Sequence, residues 1–231
     1  MALDTSFGKV RYFNDWLTRV KLAAASNDAE FVTNRDTDGA VAEINEQRNG
    51  ALRITVATTD GRDTNVFGPP IWRTDQGGPV ILEMRCTLIT SLADGETYIG
   101  WTDDDGTDEM PITLSTADVV TTNASNAVGF AFTGAGTADW KAVSVNGDSD
   151  GAVTRLNTFG ATTPVVGTFQ TFRLVINEDG DADYFIDGIF HVREDAAVSA
   201  STLLAWSMGI QSGGAARSLD NDYVYISAGR V

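Results

Sequence analysis

The residues with chemical potential fall into a few groups. Two are aspartate-rich stretches, Asp103-Asp104-Asp105-Gly106-Thr107-Asp108-Glu109 and Asn146-Gly147-Asp148-Ser149-Asp150-Gly151. Calcium needs several carboxylate and carbonyl oxygens converging from one flexible loop. Neither stretch keeps an Asp-x-Asp-x-Asp-Gly register with a distal glutamate. Asp and Gly between strands ordinarily serve as solvated turn residues. No metal and no cofactor is therefore expected. The lone histidine, His191, sits between Phe190 and Val192. One histidine cannot build a multi-histidine site, and no Gly-x-Ser-x-Gly elbow accompanies it. Glycoside hydrolysis needs two carboxylates flanking the scissile bond. The run Ile81–Ile89, where a strand would carry such a set, offers Glu83 alone, while Asp183 and Asp187 have the spacing of two turns. The residues thus give no reason to expect an enzyme. Trp72, Trp101, Trp140 and Trp206 lie in or beside strand-like runs. Trp72 follows Gly68-Pro69-Pro70-Ile71 in a loop-like stretch and is the candidate for an exposed glycan platform.

What must position these residues is an all-β scaffold. From about Val41, short apolar or alternating runs recur between Gly, Asp, Asn and Pro. They predict strands over Val41–Asn45, Ala51–Val56, Val80–Thr90, Tyr98–Thr102, Ala127–Thr133 and Trp140–Asn146. Further strands are predicted over Phe169–Asn177, Ala182–Asp187, Ile189–Arg193, Leu203–Gln211 and Asp222–Ser227. Many short strands with turn signals and almost no helical period specify an antiparallel β-sandwich or barrel. The clearest unit is a meander over Thr171–Arg193. Asn177-Glu178-Asp179-Gly180 turns the first pair of strands, and Asp187-Gly188 turns the second. One stretch reads as helix: in Arg11–Leu22, Phe13, Trp16, Leu17 and Val20 recur at i, i+3, i+4 and i+7. An extended arm or first strand is the competing reading, since aromatics also favour strands. The expected organisation is an N-terminal arm or docking segment over 1–40 and a sandwich domain over 41–231.

The chain has 231 residues, long for one domain but common for a sandwich. Its single cysteine, Cys86, shares an alternating face with Leu82, Met84 and Leu88 and reads as a small buried side chain. No intrachain disulfide is possible, which fits a reducing compartment. No export signal is visible at the N-terminus, and no apolar run reaches the ~20 residues of a membrane span. The formal net charge is −16. Such a surface opposes nucleic acid, whose binding depends on cations meeting phosphates, and disfavours anionic membranes. Residues 1–22 carry four basic and two acidic side chains, a net of +2, which leaves −18 for the rest. A basic arm with an apolar stripe on an acidic body suggests docking to a partner through Phe13, Trp16, Leu17 and Val20.

Three stretches carry a family resemblance. The first is Gly50-Ala51-Leu52-Arg53-Ile54-Thr55 with Gly61-Arg62-Asp63 and Gly68-Pro69-Pro70-Ile71-Trp72. The second is Phe169–Gly180, continuing into Tyr184-Phe185-Ile186-Asp187-Gly188, and the third is Leu219–Arg230. Together they resemble the concanavalin-A/laminin-G-like jelly-roll proteins encoded among tailed-bacteriophage virion genes. The resemblance spans roughly residues 40–230. It implies a jelly roll and a structural protein of the phage particle, of the capsid decoration or cement type, on the exterior of the virion. The implied partner is the major capsid protein, with the chain as a homo-oligomer, most simply a trimer. No catalytic residues carry over. The alternative is a glycan-binding, lectin-like module or a tail or fibre component, with Trp72 as its sugar contact.

Overall fold

The computed structural model describes residues 9–16, 22–23, 31–36, 38–44, 50–76, 78–90, 92–93, 95–104, 109–115, 117–160 and 162–229. Among these residues nineteen strands follow one another in chain order. They are β1 Lys9–Asn14, β2 Leu22–Ala23, β3 Phe31–Arg35, β4 Ala40–Glu43, β5 Leu52–Val56, β6 Asp63–Phe67, β7 Val80–Leu88, β8 Gly95–Thr102, β9 Ile112–Leu114 and β10 Val120–Thr122. Then come β11 Asn126–Thr133, β12 Lys141–Asn146, β13 Ser149–Asp150, β14 Thr154–Arg155, β15 Gln170–Ile176, β16 Ala182–Ile186, β17 Ile189–Glu194, β18 Ala205–Ser212 and β19 Arg217–Gly229. Among the described residues there is no helix.

Two large sheets pack face to face. The eight-stranded sheet runs β17-β16-β15-β7-β19-β5-β4, with β1 also paired to β19. The nine-stranded sheet runs β13-β12-β11-β8-β18-β6-β3-β2, with β14 also on β12. β19 is long enough to serve two partners on one edge while β7 takes the other: its first half pairs with β5 and its second half with β1. The predicted meander is β15-β16-β17, and Asp187 and Gly188 both take the left-handed φ that its second turn requires.

Alternation fills the space between the sheets. Leu82, Met84, Cys86 and Leu88 point inward from β7, as their spacing predicts. Rings interlock at the centre: Trp140 and Phe172 lie 4.6 Å apart between centroids, Phe130 and Phe172 5.2 Å, and Phe31 and Trp206 5.3 Å. The first two are edge-to-face and the third tilted, and such pairs add to the burial of their area. Burial pushes the Cys86 thiol up to about 12, so it is an inert core group.

The expected helix over Arg11–Leu22 is not formed where that stretch is described up to Trp16. Lys9–Asn14 is strand, held by six register partners from Val224 to Gly229. Val10 and Tyr12 pack on the core, while Phe13 faces outward. A period of two thus wins over the helical spacing, because an open edge of β19 offers ladder hydrogen bonds to any β-compatible segment. β1 and β3 belong to opposite sheets, so residues before 41 help to build the sandwich.

Candidate functional site

One face of the nine-stranded sheet looks away from the core. In β8, Thr97, Ile99 and Trp101 alternate with Glu96, Tyr98 and Gly100, and the second set faces outward. That outer face does not lie open. The hairpin β9–β10 folds onto it, burying Met110, Ile112 and Leu114 against Tyr98, Ala127, Ala131, Val143 and Val145. Full burial of three such side chains is worth roughly 2 kcal/mol apiece, so the hairpin is a fixed part of the fold. Two acidic side chains from the sheet anchor its backbone. The Met110 N–H donates to Asp63 Oδ2 at 2.8 Å, and the Leu114 N–H donates to Glu96 Oε2 at 2.6 Å.

The register aligns these anchors. Thr133, Glu96, Gln211 and Asp63 form one row across β11, β8, β18 and β6. Asp63 lies beneath the hairpin and is buried. Glu96 lies where the hairpin ends, and there a cleft of about 410 Å³ opens. Asp60, Glu96, Leu114, Ser115, Thr133 and Gln211 line it, with residues at the turns after β11 and β18. Burial raises both carboxyls. Asp63 is pushed up to about 6, against the opposing pull of the Met110 N–H and the Asn65 amide. Glu96 is pushed up to about 7, against the Leu114 N–H and the charge of Arg217. Near neutrality Glu96 therefore exchanges between a proton donor and a charged acceptor.

A buried cation joins two of the elements that border the cleft, the turn after β11 and the hairpin. Lys141 is fully buried. Its Nζ donates to the carbonyl oxygens of Thr137 at 2.9 Å and Asp139 at 3.2 Å, and pairs with Asp118 at 3.2 Å. Thr137 and Asp139 belong to the turn after β11, and Asp118 to the hairpin tip. Ser115 Oγ accepts from the N–H groups of Ala117 and Val119, which holds that tip in shape.

The residues singled out from sequence stand elsewhere. Trp72 is 8% exposed and packs edge-on against Trp101 at 6.2 Å, so it is a core ring; the exposed neighbour is Ile71. It also borders a second depression of about 420 Å³ with Val10 and Arg73. Phe13 is 47% exposed and stacks on Tyr223 at 5.8 Å. Trp16 is buried, and its indole N–H donates to Asn221 Oδ1 at 2.7 Å. Leu17 and Val20 lie outside the described residues. Asp103 caps β11 through both amide groups of Asn126. Residues 105–108 of that stretch are outside the described residues. Gly147 and Asp148 take positive φ as the turn between β12 and β13. His191 is buried beside Phe159, and burial lowers its pKa.

Glu96 had a legible signal. Starting the strand at Gly95 instead of Tyr98 puts Glu96, Tyr98 and Gly100 on one outward face. Asp63 had less, since Asp-Thr-Asn-Val-Phe does not read as a strand.

No protein-family model matches the chain, and no curated sequence does. Its structure is similar to several solved ones. An endo-β-1,4-glucuronan lyase from the fungus Trichoderma reesei is 14% identical, with a TM-score of 0.62 and 95% of each chain covered. The carbohydrate recognition domain of Emp47p is 11% identical, with a TM-score of 0.59 and coverage of 96% of this chain and 95% of that one. A Bacillus licheniformis β-glucanase is 10% identical, with a TM-score of 0.57 and coverage of 94% and 97%. The fold is a concanavalin-A-like jelly roll. The expected jelly roll thus stands, as does the two-sheet sandwich. The expectation that the chain is no enzyme does not stand. A lyase and a glucanase carry this jelly roll over nearly their whole lengths, and the sequence search for carboxylates overlooked the cleft that Glu96 and Asp60 share.

Proposed function

We propose that this jelly roll is a glycan-binding module and that the sugar enters the cleft at Glu96. The observation that carries the reading is the cleft itself. Its volume lies in the range of small-ligand sites, roughly 300–1,000 Å³. Its lining mixes carboxylates, an amide and hydroxyls, which together accept from and donate to sugar hydroxyls. A ligand would meet preset groups, because the buried Lys141 and the anchored hairpin hold the walls. The similarity to a carbohydrate recognition domain and to glycan-active enzymes supports a sugar as the ligand class.

A glycan array probed with the purified chain tests this directly. Binding to at least one glycan is expected, and Gln211→Ala with Glu96→Gln should weaken it about tenfold or more while leaving the circular-dichroism spectrum unchanged. Retention of no glycan would end the proposal. Released reducing sugar, measured alongside, would move the same cleft from binding to catalysis.

The setting rests on the sequence resemblance, which supports a place on the exterior of a bacteriophage particle. An acidic body suits the outside of a DNA-filled shell. Such a protein should be found at fixed copy number in purified particles, and its absence from them would remove that setting while leaving the sugar reading intact.

A further inference from the structure

The hairpin also bears on which sugars fit. A polysaccharide lying across the outer face of the nine-stranded sheet would have to displace Met110, Ile112 and Leu114, each fully buried against β8, β11 or β12. Among the described residues, a cleft of about 410 Å³ opens at the end of that face, bordered by the hairpin and by turns. Entry by the end of a chain leaves the hairpin in place.

Charge narrows the choice further. Among the described residues, the cleft is lined by the carboxylates of Asp60 and Glu96 and by no cationic side chain. Two cations lie close but behind the walls. Arg217 is buried on the core side of Gly95, where a Cβ on that glycine would meet its Nη1 at 2.4 Å. Lys141 is buried and paired to Asp118. The whole chain carries −16. A uronate or sialate would bring a like charge against this wall, which specific interfaces use to reject wrong partners.

We propose that the cleft is a chain-end pocket for amino sugars, one that favours a cationic hexosamine over its neutral N-acetylated form and excludes acidic sugars. The inference rests on the glycan-binding reading above and adds the substrate class.

The test is calorimetric titration of the full chain at pH 7.5, above the value of about 7 to which burial lifts Glu96, with three probes of equal length. These are a β-1,4-linked glucosamine dimer, its N-acetylated counterpart and a glucuronic acid dimer. The glucosamine dimer should bind about tenfold tighter than the N-acetylated one, which is about 1.4 kcal/mol, and the glucuronic acid dimer should show no binding. Lengthening the glucosamine probe to a hexamer should change affinity less than threefold. In an Asp60→Asn/Glu96→Gln variant, checked for an unchanged circular-dichroism spectrum, the preference for amine over N-acetyl should collapse. Equal binding of the acidic dimer, or a preference that survives the double substitution, overturns the charge selection. A hexamer that binds tenfold tighter overturns the chain-end geometry. If a glycan array shows no binding of any sugar, it is the glycan-binding reading that fails.

Discussion

At the scale of single residues, the most informative side chain is Lys141. A lysine with no exposed surface is unusual unless its ammonium is fully engaged. Here two carbonyls and Asp118 engage it. Lys141→Met keeps the volume and removes the donors. It should destabilise the protein by roughly 1.5–3 kcal/mol, read as a lower urea midpoint with unchanged slope, and should weaken any ligand bound at Glu96. Trp72 gives the contrast. Its ring supports Trp101 in the core, so Trp72→Ala should lower stability by roughly 3–5 kcal/mol. A Trp72→Ala protein of parental stability would show that the ring is not packed as described. Neither role was legible from residue type. Lys141 opens a strand and Trp72 follows Pro-Pro-Ile; the turn that folds back on Lys141 and the distant Asp118, Trp101 and Leu204 complete their surroundings.

At the scale of elements, the hairpin β9–β10 turns an open sheet face into a short pocket. Its sequence gave little warning, because Ile112–Leu114 and Val120–Thr122 are only three residues each and alternate too briefly to register a period of two. Its seat depends on glycines that let backbones and side chains close together. A Cβ on Gly209 would lie 1.8 Å from Asn65 Oδ1 and 3.3 Å from Met110 Cγ. Gly209→Ala must therefore push Asn65 into the hairpin, at roughly 1–3 kcal/mol, and should raise hydrogen exchange at the Met110 and Leu114 amides more than elsewhere. Uniform exchange across both sheets would count against this seat. The meander Thr171–Arg193 was legible for the opposite reason. Each of its pairings is local, and its turns are written in Asn-Glu-Asp-Gly and Asp-Gly.

At the scale of the whole molecule, acidity couples to pH. The folded state raises Asp63 from 3.8 to about 6 and Glu96 from 4.5 to about 7, burial being the larger cause in both. The groups facing Asp63 are Asp36, Glu109, Asn65 and the Met110 N–H; those at Glu96 are Arg217 and the Leu114 N–H. The folded protein thus holds protons that the unfolded chain has released, so these two groups favour folding below about pH 4. That contribution is lost as pH rises through 6 to 7. Self-repulsion of a −16 chain acts in the same direction. Urea midpoints should therefore be higher at pH 5 than at pH 7.5. Glu96→Gln should flatten part of that slope. A midpoint that rises over the same interval would contradict the burial of both carboxyls.

The amino-acid sequence alone determined the class of structure. Period-two alternation, Gly/Asp turn chemistry, a cysteine on an apolar face and the lack of helical period beyond Arg11–Leu22 all act over a few residues, where the backbone itself sets the outcome. It did not determine the cleft. Asp60, Glu96, Ser115, Thr133 and Gln211 come from five separate segments, and they meet because β8 lies between β11 and β18 and the hairpin folds back over β8 and β11. Which strands become neighbours depends on the burial of the whole core at once, and no local pattern carries that information.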